Sequence, residues 1–222
     1  MSNVSTLDMA NPPRKPTGTT GPLHVSAEGA QFFQLEFPRT KEEIESFIVE
    51  AFLSNSGSMP LRISEWKQNN QNDFDFSVKT TEGPKFLELM EIAPLENLRG
   101  SYEKAPSSYK PYDFAAYILA KINDKSERYH GAASSSICLL IYVTDWAFTL
   151  SQTVITLLQY WTAHQSHSFQ YIFCYSPIDT EFGIANLIYP TQKDFWKSFN
   201  PDAYRENVVH NLSPLKWELA RG

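Results

Sequence analysis

The sequence predicts a single α/β domain with a mixed central sheet and helices on both faces, and three patterns lead there. Residues 73–80, DFDFSVKT, alternate strictly between polar and apolar, as a strand with one wet face does. Residues 137–144 (ICLLIYVT) and 169–176 (FQYIFCYS) are continuous apolar runs, as expected of strands covered on both sides. Between these lie segments of helical periodicity, so the strands connect partly through hairpins and partly through βα crossovers. With 222 residues, 42% of them hydrophobic and 14% aromatic, the chain can bury the core of one such domain.

The elements follow in order. Residues 1–28, which include NPPRKPTGTTGP, are rich in Pro, Gly, Ser and Thr and read as a flexible leader to a domain spanning 29–222. FFQLEF (32–37) reads as a short strand. Thr40, with Glu43 three residues on, makes a capping box for a helix over about 41–53, whose stripe is Ile44, Phe47, Ile48 and Ala51. LRISEWKQ (61–68), DFDFSVKT (73–80) and KFLELMEIAPL (85–95) are three strands, the last two joined as a hairpin by the turn chemistry of TEGP. Residues 96–111 form a loop with Pro106 and Pro111, and 112–127 form a helix striped by Ala115, Ile118, Leu119 and Ile122. The covered strand 137–144, a helix at 151–166 capped by Ser151, the covered strand 169–176 and a short strand at 183–190 complete the domain. The aromatic tail, with Phe195, Trp196, Phe199, Tyr204 and Trp217, reads as a helical C-terminal extension.

The net charge of −6 argues against a surface that clings as a whole to nucleic acid or anionic membrane, although a local basic groove is compatible with it. Cys138 and Cys174 lie in apolar runs and read as reduced, buried thiols. No run of 18 apolar residues and no secretory signal is visible, so the expected location is the cytoplasm, with no membrane partner.

The hairpin raises the functional question. Its strands carry Phe, Leu, Ile and Met, yet also Asp73, Asp75, Glu88 and Glu91. Burying an unpaired carboxylate costs several kcal/mol, so each must face solvent, join an ion pair or hold a metal. A turn at Glu82-Gly83 sets Lys79 opposite Phe86, Ser77 opposite Glu88 and Asp75 opposite Met90, with Asp73, Asp75 and Glu88 on one face. A turn one residue longer or shorter brings Glu91 to that side instead. In either register an Asp and a Glu converge as oxygen ligands suited to Mg²⁺ or Mn²⁺, which makes Asp73, Asp75, Glu88 and Glu91 the candidate metal ligands. The alternation of Asp73 and Asp75 also fits the solvated side of a half-exposed strand.

The αβββαβ order, with an Asp on the second strand and a Glu on the third, resembles the PD-(D/E)XK, or restriction-endonuclease-like, superfamily over residues 40–175. Asp75, twelve intervening residues and Glu88-Leu89-Met90 stand where that family has Asp, a spacer and (D/E)-X-K. The resemblance implies a divalent-metal-dependent nuclease acting on a phosphodiester, with Asp75 and Glu88 as catalytic metal ligands. Met90 departs from the motif, because a thioether can neither orient a water nor stabilise a pentavalent phosphate. In this superfamily the lysine sometimes moves to a neighbouring element, and Lys79 and Lys121 are the candidates here. Lys121, Lys125 and Arg128, at i, i+4 and i+7, form a basic helix face that could meet the phosphates of a nucleic acid. Such residues also complement a helix dipole at its C-terminal end. The alternative is a nuclease-fold protein that has lost catalysis and binds a protein partner.

Other features carry less. His164 and His167 read as a solvated helix end rather than a metal site. Asp145-Trp146 reads as the turn into a helix. RGSYEKAPSSYKPY reads as an ordinary surface loop rather than a nucleic-acid clamp. No glycine-rich phosphate loop and no nucleophile elbow is present.

Overall fold

A computed structural model describes residues 15, 17–27, 29–57, 59–69, 74–93, 106–129, 136–192 and 196–210. Its centre is a six-stranded mixed sheet in the order β3-β4-β5-β7-β8-β9. The strands are β3 (Ile63–Gln68), β4 (Phe76–Thr80), β5 (Gly83–Glu91), β7 (Ile137–Tyr142), β8 (Tyr171–Pro177) and β9 (Gly183–Tyr189). The first three form an antiparallel meander, β5, β7 and β8 run parallel, and β9 returns antiparallel to β8. Helices α1 (Lys41–Asn55), α2 (Pro111–Glu127) and α3 (Gln152–His164) complete the α/β architecture. Two small ribbons, β1 (Leu23–Ser26) with β2 (Gly29–Phe32), and β6 (Ser108–Tyr109) with β10 (Val209–His210), lie outside the main sheet. The α-β-β-β-α-β order and the inner position of β7 and β8 match the sequence pattern.

The period-two alternation of the strands divides the core in two. Phe76, Val78, Leu87, Leu89, Leu140 and Phe173 face α1, which meets them with Ile44, Ile48 and Phe52. Leu139, Ile141, Ile172 and Cys174 face the other way, against Ile118 and Ile122 of α2 and Val154 and Leu158 of α3. Each such side chain, fully buried, contributes about 1.5–3 kcal/mol. Because α1 lies on one face and the α2–α3 pair on the other, every residue of β7 is buried, which accounts for its unbroken apolar run. The capping box at Thr40 and Glu43 is complete, and Cys138 and Cys174 are buried free thiols. Among the described residues, no helix is long and apolar enough to cross a membrane.

Three expectations are corrected. Part of the expected leader is built into the structure: residues 23–26 form β1, and residues 17–20 dock on the main sheet. Gly18 N–H donates to Thr144 Oγ1 (3.4 Å), Thr19 N–H to Asp145 Oδ2 (2.8 Å), and Thr20 Oγ1 to the Pro177 carbonyl (3.1 Å). Gly18 passes so close to Asp145 that any Cβ there would collide with its side chain. Second, the strand expected at 32–37 lies earlier, at Gly29–Phe32. Pro22, whose carbonyl accepts from Phe33 N–H, has no N–H to return, and the regular ladder ends there. Third, the described part of the tail is not a helical extension. Pro201 cannot continue a helix from its N-terminal side, so 201–204 form one 3₁₀ turn capped by Asn200, and the chain then pairs as β10. The tail aromatics nonetheless pack as expected, Trp196 and Phe199 against Tyr160 of α3. Phe195 and Trp217 lie outside the described residues.

Candidate active site between strand β5 and helix α2

The hairpin turn is Thr81-Glu82, one step earlier than expected, and Thr80 pairs with Gly83. Thr80 Oγ1 fastens it, donating to the Gly83 carbonyl (2.8 Å) and accepting from Glu82 N–H (3.1 Å). Gly83 takes φ +102°, a conformation that side chains resist, so a residue with a Cβ would be strained at this position. Ser77 therefore faces Phe86 and Phe76 faces Leu87, and one step further Asp75 meets Glu88. The pairing differs from the expected one by two residues, which leaves every side chain on its expected face.

Asp75 and Glu88 interlock where β4 begins. Asp75 N–H donates to Glu88 Oε1 (3.2 Å), and Asp75 Oδ2 accepts from Leu89 N–H (2.7 Å). Lys125, reaching from the last turn of α2, closes the site. Its Nζ lies 2.7 Å from Glu88 Oε2 and 3.9 Å from Asp75 Oδ2, and it donates to the Leu89 carbonyl at 2.9 Å. The Glu88 side chain is only 5% exposed, against 22% for Asp75, so Asp75 forms the open lip and Glu88 the floor. Burial holds the Glu88 carboxyl above its ordinary value despite the Lys125 ammonium. The Tyr129 hydroxyl also donates to Glu88, and burial followed by that negative charge pushes its pKa far upward, so it remains a protonated donor. Its ring stacks on Phe74, which stacks on Phe86, at centroid distances of 5.2 and 4.2 Å.

A third carboxylate, absent from the sequence-derived set, belongs to α1. Glu45 is buried, and burial together with the negative charge of Asp75 holds its carboxyl above the ordinary range. Lys41, one turn earlier, pairs with it at 3.4 Å. Burial opposes the Lys41 charge, yet Glu45 and Asp75 together hold its pKa above that of an ordinary lysine.

The other sequence candidates separate from this centre. Glu91 points to the opposite face of β5, where Lys15 pairs with it at 2.6 Å and Thr144 Oγ1 donates to it at 2.9 Å. It is not a ligand beside Asp75, because an odd number of strand positions separates it from Glu88. Lys79 shares the face of Asp75 but lies four positions along β4, about 13 Å away by strand rise, and pairs with the exposed Glu65 at 3.0 Å. Lys121 lies over the Tyr117 ring, 5.6 Å from its centroid. Arg128 caps α2 at the surface. The expected basic stripe is thus divided, with Lys125 turned into the carboxylates. Asp73 lies outside the described residues. Asp145 caps the turn at 146–148 as expected. His164 is exposed, whereas His167 is half-buried, accepts from Phe169 N–H and lies edge-on to the Tyr189 ring.

Glu45, Tyr129 and Lys15 were missed in the sequence. Glu45 left a signal, since it borders Ile44 and Ile48 on the buried stripe of α1, where a carboxylate needs a reason. Among the described residues, no group of three or more His, Cys, Asp or Glu is arranged to hold a metal. Mg²⁺ keeps most of its waters and commonly takes only one or two carboxylates; Asp75 and Glu88 are two that converge, with the Lys125 ammonium already on Glu88. No protein-family model, no curated protein and no solved structure matches the chain.

Proposed function

We propose that the chain is a divergent nuclease of the PD-(D/E)XK kind, hydrolysing a phosphodiester with Mg²⁺ or Mn²⁺, and that Lys125 supplies the ammonium missing at Met90. One observation carries this reading. A lysine from the helix after the third strand lies between the paired Asp and Glu, at 3.9 and 2.7 Å, although the motif position holds a thioether. Asp75 and Glu88 would hold the cation, with Glu45 adding negative charge behind Asp75. When bound, that cation supplies a Lewis acid and lowers the pKa of a water.

The protein's own groups do the rest. The Leu89 N–H fixes one oxygen of Asp75, so that carboxylate meets a ligand in a set orientation. The Leu89 carbonyl and Glu88 hold the Lys125 ammonium at the lip, where it can stabilise negative charge building on a phosphate without first reorganising. Tyr129, kept protonated, steadies Glu88.

The test is Mn²⁺-dependent cleavage of labelled DNA and RNA. Wild type should cleave at least one of them, and Asp75→Asn should lose at least about a hundredfold in rate while keeping its unfolding midpoint. No cleavage of any substrate by wild type would withdraw the reading. A second reading, a non-catalytic interaction protein, draws on the completeness of the Glu88–Lys125 pair without any other ion. It expects no heat on calorimetric titration with Mn²⁺.

A further inference from the structure

The sheet face that carries Asp75 continues along β3, β4 and β5 into a groove of about 500 Å³. Its residues lie in cross-strand rows. Glu65 pairs with Lys79, which pairs with Pro84, and Lys67 pairs with Ser77, which pairs with Phe86. The next row, two positions or about 7 Å along each strand, is that of Asp75 and Glu88. The groove therefore ends one strand row short of the carboxylate site, on the same face of the sheet.

Its charge is opposite to that of the chain. Lys67 and Lys79 share its face with Glu65, in a protein of net charge −6. Lys85, beside Val78, sends its side chain to the other face of β5, where Gln170 (2.7 Å) and Glu82 (3.2 Å) hold and neutralise it, so it adds no charge to the groove. Lys67 is exposed, and Lys79 holds Glu65 only through an exposed pair of the kind worth little in water, so both can turn to an anion. Phe86 lies on the row nearest the carboxylates and is the first ring of the Phe86–Phe74–Tyr129 stack that ends beside Glu88.

We propose that this groove seats a single-stranded nucleic acid leading to Asp75 and Glu88, with Lys67 and Lys79 on its phosphates and Phe86 beneath an unpaired base. The proposal rests on the nuclease reading and names its substrate class. Unpaired bases offer their faces to aromatic rings, whereas a duplex keeps them stacked inside, and a groove of this volume is in the range of sites for nucleotide-sized ligands, ~300–1,000 Å³.

Fluorescence anisotropy with short labelled single-stranded DNA and RNA, and with the matching duplexes, tests it in buffer with EDTA to prevent cleavage. A single strand should bind more tightly than its duplex. Lys67→Glu and Lys79→Glu should each weaken binding about tenfold and reduce the salt slope by about 0.7, the share of one phosphate contact on a single strand. Unchanged affinity and slope in Lys67→Glu, or tighter binding of the duplex, overturns the groove assignment. If Asp75→Asn still abolishes Mn²⁺-dependent cleavage in that case, the nuclease reading survives alone. If the lysine variants weaken binding but wild type cleaves nothing, the groove stands as a binding site and the nuclease reading falls.

Discussion

Two glutamates on one strand, about 10 Å apart by strand rise, meet the same difficulty in different ways. Glu88 and Glu91 both leave β5 for surroundings where a carboxylate is costly, and each is met by a lysine, at 2.7 and 2.6 Å. Lys125 comes from a helix packed on the sheet, and its pair lies against Tyr129 and beside the open lip of Asp75. Lys15 comes from the N-terminal arm, and its pair is bordered by Thr144 and by Tyr142, whose hydroxyl also takes a Lys15 bond at 3.2 Å. The first pair joins a strand to a helix packed on it, and the second ties an arm to the sheet. Ion-pair length alone therefore does not distinguish a site from a tether; what distinguishes them is what supplies the lysine and what lies beside it.

The comparison is broken most directly by removing each lysine. Lys125→Met leaves Glu88 buried without its cation and should cost about 3–5 kcal/mol in urea unfolding, and adding Glu88→Gln should recover most of that loss. A loss that the second substitution fails to relieve would mean that the lysine stem, rather than its charge, matters. Lys15→Met should cost only about 1 kcal/mol, because that pair is more open to water. Equal losses would remove the distinction between site and tether.

A pH series sharpens it. Glu45 and Glu88 are held above their ordinary value of 4.5, by burial first, so above that value the folded chain carries protons that the unfolded chain has released. Stability should therefore fall as pH rises from about 4.5 through the raised folded values, and Glu45→Gln should flatten that fall. A slope identical in wild type and variant would mean that Glu45 titrates normally. The smallest effect belongs to the groove's exposed pair: Lys79→Ala should change stability by no more than about 0.5 kcal/mol, and a larger loss would mark Lys79 as structural.

Much of the fold could be read because periodicity is a local property. The alternation of Phe76 and Val78, the apolar runs of β7 and β8, and the Thr40–Glu43 box each report their surroundings within a few residues. The site was legible in part for the same reason, since Asp75 and Glu88 were placed on one face although the turn was assigned one step late. Lys125 was read only as a phosphate-binding residue on a helix face, and Lys79 and Lys121 as the catalytic candidates, because helical spacing defines a stripe but not its angle to the sheet. That angle is set by how Ile118 and Ile122 pack on β7, a long-range fact. Lys15 was beyond reach entirely, since nothing in a Pro- and Gly-rich leader indicates that it meets a strand end more than seventy residues away.

The docked arm has a consequence for how the chain is made. Thr20 bonds to Pro177, 157 positions later, and Gly18 and Thr19 bond to residues 126 positions later. At synthesis rates of about 5–20 residues per second, the residues that the arm docks on follow it by roughly six to thirty seconds. During that time Glu91 has no Lys15 beside it, and the ends of β7 and β8 are either not yet made or uncovered. Covering those strand ends is thus the work of residues made well before them, performed late.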